Sequence, residues 1–448
     1  MSVQVTDATG GSVPQPAAVF SPAYRRYVLI VLMLVYTISY VDRQILSILM
    51  EPIKNELGIS DTSLGFLSGV AFALFYATLG VPIAILADRK NRRNIIALSV
   101  AVFSGMTLLC GLAMNFWQLA LARIGVGVGE AGSSPPSHSI ISDIYPPSER
   151  GAAFGIMGLG TNIGTLTGFL IGGWVAHLVG WREAFLIVSV PGLILALIVR
   201  YTLREPPRGL MEAKKDSVAS YPVREVIRFV TRQKAFVHIA AGTALFAFIG
   251  YGASVWKPSF FMRSFGLSTA EVGTYLALLV GTAGVFGTYM GGWLGDKLGK
   301  RDVRWNLWIV SIFWTINVPI LLCHYLSPNV WIALALYVVP AAAGAFFLAP
   351  ALAMTQALVR PRMRAVASAV LFLVINLVGL GIGPQMVGIL SDIYHPIFGI
   401  ESLRYSMMTF ATFGLWGAAH YYMASRHLIA DLERVKQFEG AGGQAPSA

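Results

Sequence analysis

Charge and cysteine are both scarce in this chain. Charged residues make up 12% of its 448 positions, against about a quarter in an ordinary soluble domain. That shortage excludes one water-soluble globule of this length. Hydrophobic residues reach 56% and mean hydropathy is +0.66, more apolar side chain than a single core encloses. Cys110 and Cys323 each lie inside an apolar run, so no disulfide framework is suggested. The seven histidines are scattered, so no cluster of histidines, acids or a nucleophile at one membrane face suggests an enzyme, and no cofactor is expected. No Gly-rich stretch joins a strand to a helix with a phosphate-loop lysine. The polar tail, 1–26, lacks the apolar core and cleavage site of a signal peptide. The net charge of +11 invites a nucleic-acid reading, but the charges sit in short loops between apolar runs, where a bilayer protein keeps its cations.

Long apolar runs are what the chain has instead. Twelve are long enough to span: about 27–49, 64–87, 95–114, 117–141, 152–178, 184–201, 236–261, 272–294, 305–325, 330–358, 365–390 and 405–424. The tenth, interrupted by Pro340 and Pro350, is the least regular. With both termini on one side, only Lys54, Arg182, Lys257, Arg263 and Arg404 fall at the opposite side, and only Arg43 and Arg123 lie deep within runs, out of 33 lysines and arginines. The bias predicts cytoplasmic termini. Lys257, beside Pro258 near the end of its run, reads as an interface anchor that snorkels. Trp181, Trp293 and Trp305 read as interfacial belt residues.

One loop, 204–234, is much longer than the rest. Within it Val223, Val226, Ile227 and Val230 recur at helical spacing against Arg224, Glu225, Arg228 and Arg232, the pattern of a basic amphipathic helix on the membrane surface. This linker divides the chain into six-run halves, 27–203 and 235–424, followed by a tail, 425–448. The halves echo each other. Asp88-Arg89-x-x-Arg92-Arg93 ends the second run and Asp296-Lys297-x-x-Lys300-Arg301 the eighth; the fifth and eleventh are Gly-rich around Asn162 and Asn376. A repeat of this kind, with a site between its halves, describes a secondary transporter and an all-α fold of twelve membrane helices in two pseudo-symmetric six-helix bundles.

Charges inside the runs mark the site. Arg123 and Glu130 are two helical turns apart and face the same way, with Gly125, Gly127 and Gly129 between them. Asp42 and Arg43 lie in the first run. Ionisable groups at such depth are costly unless they pair or line a watery cavity, which makes them functional candidates. Arg123 and Asp42 both lie ~10 Å below the outer edge and Glu130 ~20 Å. Asp42 is expected to pair with Arg123 while Glu130 sits deeper, accessible from inside, so that making and breaking the pair cycles a proton. Arginine keeps its proton and is suited to switching between acids or holding an anionic headgroup. Tyr40, Arg43, Arg123, Glu130, Asn162 and Asn376 are the candidate substrate contacts. The alternative is a permanent charge lock that only specifies helix packing. The second half offers no matching intramembrane acid or arginine, so the coupling machinery is expected on one side.

These stretches resemble a known superfamily. Gly292-x-Leu-x-Asp296-Lys-x-Gly-Lys-Arg301 is similar to the loop motif of major facilitator transporters, with Asp88-Arg89-x-x-Arg92-Arg93 as a first copy that has Ala84 and Asn91 where glycine is usual. Arg123-x-x-x-Gly127 resembles the fourth-span motif. Gly168-Phe169-x-x-Gly172-Gly173 is similar to the antiporter motif with Phe169 in place of proline. Tyr40-Val-Asp42-Arg43-Gln and Arg123-x-x-x-Gly-x-Gly-Glu130-Ala look like the Spinster family, as do Ile141-Ser-Asp143, Gly180-Trp-Arg-Glu-Ala-Phe185 and Gly383-Pro384 through Asp392. The resemblance implies alternating access, proton coupling through Asp42, Glu130 and Arg123, and a lysolipid or sphingoid-like lipid as substrate. The charged ends of the second and eighth runs are expected to form a cytoplasmic gate at Asp88, Arg89, Arg92, Asp296 and Arg301 that latches outward-facing states, the alternative being that Arg89, Arg92, Arg93, Lys300 and Arg301 only set topology. The expected partners are that amphiphile, protons and the bilayer, with the chain as a monomer in a bacterial inner membrane. An organic-anion or drug transporter, or a scramblase without proton coupling, are the alternatives.

Overall fold

The computed structural model describes residues 20–211 and 221–440. The tail up to residue 19, the middle of the linker and residues 441–448 lie outside the described residues. Among those described there is helix and no strand. The helices are α1 (Pro22–Leu57), α2 (Asp61–Ser68), α3 (Val70–Arg89), α4 (Arg92–Gly111), α5 (Phe116–Glu130), α6 (Ser134–Ile144), α7 (Pro147–Leu178), α8 (Trp181–Thr202), α9 (Val223–Thr231), α10 (Lys234–Phe265), α11 (Thr269–Gly299), α12 (Trp305–Leu326), α13 (Val330–Phe346), α14 (Leu348–Ala357), α15 (Arg364–Val374), α16 (Gly383–Phe398) and α17 (Ser402–Gly440). Every apolar run falls on one helix or on a broken pair.

By length and hydropathy, nine stretches among the described residues can cross a membrane. One of them, Pro361–Gln437, holds both the eleventh and twelfth runs. The fourth run, split into α5 and α6, and the eighth, apolar over Thr269–Val280, do not qualify. α9 lies where the amphipathic pattern placed a helix, with Val226 and Val230 buried against the second half and Arg224, Arg228 and Arg232 exposed.

The breaks have local causes. Pro135 and Pro136 carry no N–H, so the carbonyls of Ala131 and Gly132 have no helical donor and α5 ends at Glu130. Pro350 leaves the Phe346 carbonyl in the same position, and α13 stops there. In the eleventh run the helix widens into a π-helical stretch, Ile375–Ile382, ahead of Pro384. α1 is better terminated: Ser21 accepts the Tyr24 N–H at 3.2 Å, Pro22 opens the helix, and Gly58 at φ 61° closes it.

Packing depends on glycine at two places. Gly160, Gly164, Gly168 and Gly172 repeat every fourth residue along α7, and that stripe lies on α1. A Cβ at Gly160 would stand 2.6 Å from the Met33 carbonyl oxygen, too close for any larger residue. Across the halves, α7 meets α11 where Gly173 faces Gly273; a Cβ on Gly273 would lie 3.1 Å from the Gly173 Cα. The other principal contacts between the halves are α2 with α16, α3 with the π-helical stretch, and α1 with α10. All lie from mid-depth to the end remote from the chain termini. One hydrophobic cluster spans both halves at that end, around Ile45, Phe169, Trp256 and Val387. A second belongs to α9–α17, and a third is built almost wholly from the first half, with Leu380 added.

Candidate functional site

The four intramembrane charges form two ion pairs between α1 and α5. Asp42 pairs with Arg123 at 2.9 Å, and Glu130 pairs with Arg43 at 2.6 Å. Consecutive residues on one helix thus engage residues two turns apart on the other. The α5 glycines let its neighbours approach: a Cβ on Gly129 would lie 2.6 Å from the Phe103 backbone nitrogen of α4, and Gly127 faces the α3 backbone at Phe72. Asp42, Arg123 and Glu130 are all buried. Glu130, expected to be accessible from inside, has no exposed surface here because its side chain is closed in by α1.

Each carboxylate is held differently. Asp42 uses both oxygens, Oδ2 for Arg123 and Oδ1 for the Thr107 hydroxyl of α4. Glu130 loads one oxygen: Oε2 accepts from Ser39 at 2.7 Å and from Arg43 Nε and Nη2 at 2.9 and 2.6 Å, while Oε1 has no hydrogen-bond partner among the described residues. The Arg43 guanidinium lies among rings, its Cζ 5.1 Å from Tyr40, 4.9 Å from Phe72 and 4.8 Å from Tyr76, a cation–π box that orients it toward Glu130. Arg43 also keeps 16% of its side chain exposed, the only one of the four with appreciable access.

The remaining expected site residues are dispersed. Asn162 on α7 and Asn376 in the π-helical stretch are half-buried and make no side-chain hydrogen bond among the described residues. At the terminal end Asp88, Arg89, Asp296 and Arg301 are exposed, without ion pairs among the described residues. Arg92 is different: it is buried and bound to Asp143 and Ser139 (2.8 Å) of the first half and, where the linker begins, to Glu205 at 2.7 Å and the Pro206 carbonyl at 2.7 Å. Among the described residues the latch residues therefore make no hydrogen bond or ion pair across the halves in this conformation.

Two expectations are corrected. Lys257 does not snorkel to the interface: it is 1% exposed, drawn inward by hydrogen bonds to His324 at 3.1 Å and Tyr325 at 2.9 Å. Trp181 is not a belt residue either, being buried with its indole N–H on Glu56 at 2.5 Å.

Sequence reading also missed the polar seal at the end remote from the termini. Arg263 of α10 reaches across to the first half, to Glu51 at 2.6 Å and Asp61 at 2.7 Å. Asp61 also takes Lys54 at 2.5 Å and the Ser391 hydroxyl at 2.7 Å, and Asp392 caps the backbone N–H groups of Asp61 and Thr62 at 3.1 and 2.7 Å. Ser47 adds a bond to the Val255 carbonyl at 2.6 Å. The available signal was the few cations counted on that side, Lys54 and Arg263 among them, since cations there need a purpose other than topology.

An all-helical membrane chain, closed between its halves at one end and holding interlaced buried charges in its first half, has the architecture of a transporter, and its family match makes it one. The Major Facilitator Superfamily model matches residues 32–384, and the chain belongs to that superfamily, among its Spinster-like members. It is 34% identical over 406 residues to an MFS-type efflux pump of Mycolicibacterium smegmatis, spanning 90% of this chain and 93% of that one. It is 26% identical over 448 residues to protein spinster homolog 1 of Xenopus tropicalis, covering 93% and 84%. Its fold matches the crystal structure of a bacterial homolog of the human lysosomal transporter Spinster, inward-facing and unoccupied, with TM-score 0.84 and 33% identity over 92% of this chain and 99% of that one.

Proposed function

We propose that this chain is a proton-linked secondary transporter of a small amphiphile, a lysolipid or sphingoid-like lipid, working by alternating access. Two six-helix units, 27–203 and 235–424, rock about the charges on α1 and α5. The terminal end faces the cytoplasm of a bacterial inner membrane, so the conformation described is sealed on the outer side.

The observation that carries this reading is the one-sided loading of Glu130. Its Oε2 holds Arg43 and Ser39, while Oε1, fully buried, has no hydrogen-bond partner among the described residues. A proton added at Oε1 cancels the counter-charge of Arg43 and frees the guanidinium to hold an anionic headgroup. Proton on Glu130 and anion on Arg43 then favour each other, which is coupling. Asp42, with both oxygens occupied, holds Arg123 in place. The lipid half of the proposal rests on the Spinster likeness. Organic anions are the second reading, favoured by relatives named probable galactarate/D-glucarate transporter and hexuronate transporter in Bacillus subtilis, 27% and 25% identical over 62% of this chain.

The test is uptake into proteoliposomes after a pH jump, with a lysolipid panel, sugar acids and cationic drugs as substrates. Saturable, pH-driven flux and counterflow exchange are expected for the carrier; non-saturable lipid equilibration would indicate a scramblase. Glu130→Gln and Asp42→Asn proteins that transport with the pH dependence of the unaltered chain would refute the coupling.

A further inference from the structure

The second half contains a buried ionisable cluster that the scheme above leaves unused. Lys257 of α10 lies inside the outer half of its bundle with 1% exposure and no carboxylate in ion-pair reach among the described residues. The groups that face it come from two further helices: His324 and Tyr325 of α12, and Tyr337 of α13. Its Nζ stands 3.1 Å from His324 Nε2 and 2.9 Å from the Tyr325 hydroxyl. Three rings surround the nitrogen, with centroids at 4.3 Å for Tyr325, 4.4 Å for Tyr337 and 5.6 Å for Phe260.

The hydrogen-bond directions follow from what each atom can do. His324 Nδ1 is 2.8 Å from the Ala333 carbonyl oxygen, which only accepts, so Nδ1 carries the hydrogen and donates. In the neutral ring Nε2 is then the acceptor, and Lys257 donates to it. The Tyr325 oxygen accepts from an ammonium or donates to an amine, so the cluster is satisfied in either state of Lys257. A proton on the amine therefore sits on a hydrogen bond that ends at an imidazole lone pair, with π-faces as its counter-charge. A packing lysine would be expected to carry an acidic partner, because an ion pair is the ordinary way to bury a cation. Here the partners are groups that accept and pass protons.

One residue before Lys257, the Trp256 indole donates to the Pro384 carbonyl at 2.8 Å, and two residues before it the Val255 carbonyl accepts from Ser47 of the first half. Lys257 thus adjoins the stretch of α10 that closes against α1.

We propose that Lys257, His324 and Tyr325 form a second proton-holding centre, in the C-terminal half, which exchanges one proton independently of the pairs on α1 and α5. The claim concerns titration of the cluster itself and does not require Glu130 to couple transport.

The test is protein labelled with 15N-histidine in nanodiscs, followed by long-range 1H–15N spectra between pH 5 and 9, with the His324 signal assigned by its loss in His324→Gln. The expected result is the Nδ1–H tautomer and a pH-dependent shift at Nε2 that moves by about one pH unit or more in Lys257→Met and is unchanged in Glu130→Gln. Tyr325→Phe, which keeps the ring, serves as the second variant and is expected to displace the same transition in a smaller degree. A His324 ring that does not titrate in this range, or one whose titration is the same with and without Lys257, overturns the proposal. Transport failure in Glu130→Gln with an intact His324 transition would leave this centre standing while removing the coupling scheme.

Discussion

Removing Arg263 tests whether the polar seal holds this conformation. The guanidinium is 7% exposed and spans Glu51 at 2.6 Å and Asp61 at 2.7 Å, joining α10 to the first half. Breaking a buried pair by deleting one partner costs about 3–5 kcal/mol. Asp61 keeps Lys54 and the Ser391 hydroxyl, so only Glu51, 13% exposed, is stranded. About 2–3 kcal/mol remains against the sealed state, and none against a state in which α10 and α2 have parted. At 1.4 kcal/mol per tenfold, Arg263→Ala shifts the balance toward opening at that end by about 30- to 150-fold. The assay is labelling of Ser47→Cys, a position 2% exposed beneath the seal, in a Cys323→Ser background because Cys323 is exposed and Cys110 is buried. A membrane-impermeant maleimide should react faster by about tenfold or more in Arg263→Ala, with partial return in Arg263→Lys. A rate within about twofold of the parent, in protein that still elutes as a folded monodisperse peak, would show that the seal rests on apolar contact alone.

Three further outcomes follow from the same geometry. Asp42→Asn strands the Arg123 guanidinium, 2% exposed, and should cost about 3–5 kcal/mol, whereas Thr107→Val removes only the Oδ1 contact and should cost about 1–3 kcal/mol; thermal unfolding in detergent ranks the two. Gly164→Val adds side chain to a site where even a Cβ lies 2.6 Å from the Tyr40 Cβ, so it should destabilise by about 1–3 kcal/mol or more, read as a lowered melting temperature with loss of transport. Asp88→Asn, at an exposed residue, should leave thermal stability within about 0.5 kcal/mol yet deplete the state closed at the terminal end, measured as the distance between spin labels on α3 and α11.

Composition, run length and charge placement were enough to make this an all-helical membrane chain, since bilayer thickness and the cost of buried charge act on one dimension of sequence. The same logic picked out Asp42, Arg43, Arg123 and Glu130, because four ionisable groups inside apolar runs stand out whatever surrounds them. It also placed α9, where alternation of valine and arginine at helical spacing is a local pattern. Partnership was another matter. The matched depths of Asp42 and Arg123 predicted their pair, but that Arg43 turns to Glu130 and that Asp42 also takes Thr107 depends on the register of α1 against α4 and α5, helices distant in sequence. Lys257 looked like an interface anchor because its neighbours along the chain are Trp256 and Pro258; its real neighbours, His324 and Tyr325, are 67 and 68 residues away. Asp61 and Arg263 likewise sat in what read as connecting segments, 202 residues apart, until folding made them one cluster. Sequence alone determined which charges must be accommodated in the membrane. Beyond the Asp42–Arg123 pair, only the tertiary structure decided which group neutralises each, because hydrogen bonds act over about 3 Å in space and take no account of distance along the chain.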